Sequence, residues 1–133
     1  MRFAVVLVVV MFAVSAAVAK DFRPGDLRVC NAKTCVPITD RATLATLSSF
    51  YYTGAVPRIA VAPPLGVPSF ELRFRHGYVT GVVASATLDR FLSYGVNLDR
   101  FEPGIWYQVP ARAAGELRAL TAKLRPLPLR TQG

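Results

Sequence analysis

Phe70, Leu72 and Phe74 alternate with Glu71, Arg73 and Arg75, and after His76-Gly77 a second run continues as Tyr78-Val79-Thr80-Gly81-Val82-Val83. A period of two marks a strand with one buried face. His76-Gly77 suits a two-residue hairpin turn, because glycine takes the positive φ that such a turn requires. Counting outward pairs Arg75 with Tyr78, Phe74 with Val79, Arg73 with Thr80, Leu72 with Gly81, Glu71 with Val82 and Phe70 with Val83. The pairs sort into an apolar face (Phe70, Leu72, Phe74, Val79, Gly81, Val83) and a polar one carrying Arg73, Arg75, Tyr78 and Thr80. A slip of one residue would mix them.

A shorter hairpin precedes it. Leu27-Arg28-Val29-Cys30 and Cys35-Val36-Pro37-Ile38 flank Asn31-Ala32-Lys33-Thr34, which sets Cys30 opposite Cys35. Leu27, Val29, Val36 and Ile38 make its apolar side, so a Cys30–Cys35 disulfide would cross neighbouring strands away from the core. Pro37 cannot donate to a ladder and places the hairpin at a sheet edge.

Helical spacing appears in three places. Thr39 or Asp40 can cap a helix over 40–51 with Leu44, Leu47 and Tyr51 on one face and Gly54 at its end, and Phe50-Tyr51-Tyr52 is read as core packing rather than a stacking platform. Leu88, Phe91 and Leu92 predict a short helix ended by Gly95, and Leu88-Asp89-Arg90-Phe91 recurs as Leu98-Asp99-Arg100-Phe101. Pro110 can open a helix over 111–124 with Ala113, Leu117, Leu120 and Leu124 as its stripe, stopped by Pro126. Strands are expected near 58–62 and 105–109, the segment Pro63 to Pro68 should be a stiff extended loop, and 127–133 a loose, flexible tail. The fold class that results is α+β: one small domain over 20–126, its antiparallel sheet centred on 70–83 and its helices on one face.

The first 19 residues change the setting. Arg2, an uncharged apolar run and Ser15-Ala16-Ala17-Val18-Ala19 read as a signal peptide cleaved after Ala19, with a retained N-terminal membrane anchor as the alternative. Export makes an oxidised cysteine pair the expectation, and so short a loop yields about 2 kcal/mol in the chain-entropy picture. Without Arg2, 15 basic residues face 8 acidic ones, a net +7 that favours anionic surfaces.

The chemistry of an enzyme is thin. His76 is the only histidine and sits in a turn, the cysteines are spaced C-x4-C and not C-x-x-C, and no phosphate-loop, dinucleotide, calcium or zinc pattern occurs. No catalytic residue, metal ligand or cofactor site is therefore assigned. The reading is a non-enzymatic extracytoplasmic binding module whose candidate ligand residues are Arg73, Arg75, Tyr78 and Thr80, with donors for carboxylate or phosphate and a ring for stacking. Its expected partner is an anionic envelope polymer or lipid surface, with nucleic acid disfavoured by export. The alternative is a protein-contact module, such as an inhibitor of an extracellular hydrolase, acting through a preorganised loop at 63–68.

Overall fold

The computed structural model describes residues 22–53, 56–95 and 101–133. The expected signal peptide, Gly54 and residues 98–100 of the repeat lie outside the described residues. Within them, an antiparallel sheet runs β2-β1-β3-β4-β5-β6, from β1 (Leu27–Cys30), β2 (Cys35–Pro37), β3 (Pro68–Phe74), β4 (Tyr78–Ala84), β5 (Arg90–Ser93) and β6 (Trp106–Gln108). A seventh strand, β7 (Leu127–Pro128), pairs with β3. Two helices complete the α+β fold, α1 (Arg41–Ser48) and α2 (Ala111–Thr121).

The central hairpin holds its expected register for Phe70–Val83, Glu71–Val82 and Leu72–Gly81. Closer to the turn it departs. The connection is a three-residue 3₁₀ turn, Arg75–Gly77, with Gly77 at φ +83°, and the register shifts so that Arg73 meets Val79 and Phe74 meets Tyr78. Thr80 is the extra residue of this bulge. Its Oγ1 donates to the Leu72 carbonyl at 3.2 Å and its own carbonyl accepts from the Tyr94 N–H at 3.0 Å, so the unpaired position is bonded on both sides. The edge hairpin forms as expected, with Cys30 opposite Cys35 and a disulfide between them. Cys30 is fully buried, because the sheet face it occupies is not bare.

That second face is what the chain's local patterns did not predict. On the first face Leu27, Val29, Phe70, Leu72, Val83, Phe91 and Tyr107 pack against Leu44, Leu47, Phe50 and Tyr51 and against Ala113, Ala114 and Leu117 of α2. On the second face Val82, Ala84, Leu92 and Trp106 form a separate cluster, closed by Leu129 with Ile59, Ala62 and Val67. The tail expected to be loose is therefore a strap. After β7 the Leu129 N–H donates to the Val67 carbonyl at 2.9 Å and the Leu129 carbonyl accepts from the Gly66 N–H at 2.8 Å. Further on, the Trp106 indole N–H donates to the Gln132 carbonyl at 2.9 Å and the Gln132 amide donates to the Pro63 carbonyl at 2.9 Å. Burial of Leu129 and these bonds hold a segment that has too few residues to show a period.

Three other expectations change. The helix expected near Leu88 is strand β5, paired on both sides to β4 and β6. Ser85 and Leu88 stand at φ 128° and 56°, outside the helical region, and Asp89 accepts from the Ser85 hydroxyl at 2.6 Å, which shapes a turn and not a helix start. The strand expected over 58–62 shrinks to a bridge between Arg58 and Tyr107, leaving Val61 78% exposed. Pro63 to Pro68 is not extended throughout: Gly66 at φ +89° and a Val67 N–H to Pro64 carbonyl bond of 3.5 Å turn it back at Leu65. The first helix ends in a π-turn, Ser49–Thr53, after an N-cap in which Asp40 accepts from the Thr43 N–H at 2.9 Å.

Candidate functional site

The four residues expected to bind a ligand are placed separately. Both Nε and Nη2 of Arg73 donate to one oxygen of Glu71, at 3.0 and 2.7 Å. Arg75 forms a two-pronged pair with Asp26, 2.9 Å on each arm, and lies over the Phe74 ring at 5.3 Å, so it ties the turn to the start of β1. Tyr78 is exposed but stands in register with Phe74 rather than Arg75, and Thr80 is buried in the bulge. The bulge thus divides the set: Arg73 shares its register row with Val79 and Arg28, and Tyr78 shares one with Phe74 and Leu27.

The register also builds a different site. Across the second face one row runs Cys35, Cys30, Glu71, Val82, Leu92 and Trp106. The strap crosses this row and leaves a cleft of about 300 Å³ lined by Ala32, Ser69, Glu71, Val82, Tyr94 and Leu127 to Thr131. Ser69 is committed to the Leu127 carbonyl at 2.9 Å and fixes the strap. Arg73 engages only Oε2 of Glu71, so Oε1 stays an acceptor with no partner among the described residues. Burial, and after it the charge of Glu71, pushes the Tyr94 phenol above its ordinary value, and like any phenol it carries a proton to donate at neutral pH.

One cation lines the opening and two more lie close to its lining residues in sequence. Ala32, in the lining, is flanked by the β1–β2 loop that carries Lys33, and the Asn31 amide donates to the Arg125 carbonyl at 3.0 Å, joining that loop to the chain that enters the strap. Arg130 belongs to the lining itself. Among the described residues every carboxylate is already engaged: Asp26, Glu71, Asp89, Glu102 and Glu116 by arginines and Asp40 by its cap. Arg28, Lys33, Lys123, Arg125 and Arg130 have no ion partner among those residues and are exposed.

Two other hollows lie on the helical side. One of about 470 Å³ lies between α1 and the start of α2, around Phe50, Val56 and Arg112, and one of about 290 Å³ borders Phe22 and Leu44. Among the described residues no group of three or more His, Cys, Asp or Glu side chains could hold a metal ion. Tyr94 and Arg130 were missed from the sequence because they stand in segments read as a helix end and a loose tail. One signal was present in outline: Leu92 and Tyr94 are two apart, as residues on one face of a strand are. No protein-family model matches the chain, and neither a curated protein nor a solved structure is significantly similar to it.

Proposed function

We propose that the chain is a non-enzymatic extracytoplasmic binding module for anionic components of the cell envelope, acting through the cations around the second-face cleft. The observation that carries this reading is the imbalance described above: the Asp and Glu side chains of the described residues are engaged, while Arg130, in the lining of one opening, and Lys33 and Arg125, close in sequence to lining residues Ala32 and Leu127, have no ion partner among those residues. Uncompensated guanidinium and ammonium groups on one rim raise the local concentration of anionic polymer or lipid headgroups, with a strength that salt screens. The disulfide suits an oxidising compartment. Among the described residues no helix is long and apolar enough to cross a membrane.

The test is binding of the purified protein to an acidic polymer, polygalacturonate or polyphosphate, and to vesicles containing phosphatidylglycerol, at low and at high ionic strength. Binding to polyphosphate and to the vesicles should weaken as salt rises, and Lys33→Gln with Arg125→Gln and Arg130→Gln should lower low-salt affinity for the acidic polymers about tenfold or more. Unchanged affinity in that triple variant would place the anion site elsewhere. Export with cleavage after Ala19 predicts an N-terminal residue of Lys20 on the protein recovered outside the cytoplasm.

A second reading has one observation in its favour. Leu65 is 59% exposed at the tip of the 63–68 turn, whose two ends are bonded to the strap through Gly66, Val67 and Pro63. A side chain presented on so braced a loop loses little ordering entropy on contact with another protein. Inhibition of an extracellular hydrolase that is abolished by Leu65→Asp would favour this reading over the basic face.

A further inference from the structure

The cleft supports a more specific assignment, which rests on the binding function proposed above. We propose that it holds one sugar ring of an acidic polysaccharide, with Arg130 meeting the acid group and Glu71 and Tyr94 meeting ring hydroxyls. Its size, about 300 Å³, lies at the small end of the range of ligand pockets, which suits a single ring rather than a folded chain.

Glu71 is the discriminating group. A site built only for phosphate would gain nothing from a carboxylate in its lining, since like charges repel at short range. Here that carboxylate is kept in place by Arg73, yet its Oε1 faces no donor among the described residues. A sugar hydroxyl supplies that donor, and a hydrogen bond to a charged acceptor is among the stronger ones a protein makes. The Tyr94 hydroxyl, which carries its proton at neutral pH as a phenol does, lines the same cleft and offers a donor there besides the acceptor. An anionic lipid would satisfy the rim cations, but the opening lacks the deep apolar recess that an acyl chain needs, because Leu129 already fills the space over Val82, Leu92 and Trp106.

The experiment compares a short oligogalacturonide with inorganic polyphosphate on the purified protein, using calorimetry at low and at high salt. Glu71→Gln and Tyr94→Phe are chosen because each keeps the shape of the side chain, and unchanged Trp106 emission verifies the fold. The expected result is oligogalacturonide binding that persists at high salt where polyphosphate is released, with each substitution weakening the former about tenfold and leaving the latter unchanged or tighter. Parallel release of both polymers by salt, with oligogalacturonide affinity untouched by either substitution, would overturn the sugar assignment and leave the basic-rim reading standing. Absence of binding to both polymers at low salt would overturn the basic-rim reading and the assignment that rests on it.

Discussion

Asp26 and Arg75 lie 49 residues apart in sequence and form the most regular ion pair among the described residues, with two hydrogen bonds of 2.9 Å. The Arg75 hydrogen bonds hold the Asp26 carboxyl below its ordinary 3.8, with the Arg23 N–H assisting and partial burial opposing. A carboxyl whose folded pKa lies below its unfolded one adds stability that is complete above the unfolded value and is lost as pH falls through the folded value. Asp26→Asn should therefore flatten the loss of stability between about pH 5 and pH 2, measured as urea midpoints across a pH series. Asp40, held down chiefly by the Thr43 backbone N–H, retains part of the acid sensitivity in that variant. The same pair shows where reading residues along the chain reaches its limit. Alternation puts Arg73 on β3 and expects Arg75 there too, though Arg75 opens the turn; whether either guanidinium is available depends on a carboxylate. For Arg73 that carboxylate is two residues away, and for Arg75 it lies just ahead of β1, 49 residues earlier in the chain.

At the level of elements, Gly81 explains why β4 and β5 can lie together. A Cβ there would collide with the Leu92 carbonyl and the Phe91 ring, so the missing side chain is the space that Phe91 fills. Gly81→Ala should lower stability by about 1–3 kcal/mol, the usual cost of overpacking a filled core. Gly115 is the contrasting case: in α2 its added Cβ would meet only the Arg118 guanidinium at 3.5 Å, and Gly115→Ala should stabilise by up to about 1 kcal/mol. Chemical denaturation of the two variants side by side checks both signs. The central and edge hairpins, the N-cap at Asp40 and α2 were legible because each is specified by neighbours in sequence. Strand β5 was not legible, because Leu88, Phe91 and Leu92 have helical spacing as well as one residue on each sheet face. The choice is made by the open edges of β4 and β6 and by the left-handed Leu88. The bulge at Thr80 was hidden for a similar reason: its hydrogen bonds go to Leu72 and Tyr94, outside its own strand.

For the whole molecule the strap decides how much of the sheet is covered. Removing residues 127–133 would uncover Val82, Leu92 and Trp106, which are 7%, 1% and 4% exposed, and would remove the partner of the Trp106 indole. The loss should be about 2–3 kcal/mol for Leu129 alone. Because Trp106 is the only tryptophan, the same deletion should shift its emission to the red. An unchanged spectrum would show that the strap does not shield the indole. The candidate site shares this dependence, since one side of its cleft is the strap itself. There is also a consequence for how the chain is made. Synthesis delivers the N-terminal part first, yet β3, midway along the chain, receives part of its pairing from Leu127 and Pro128. A nascent chain halted before residue 127 would have its helical side ready to close and its other side still sticky. Its final fold, and with it any competence to bind, would wait on residues 127–133 to emerge.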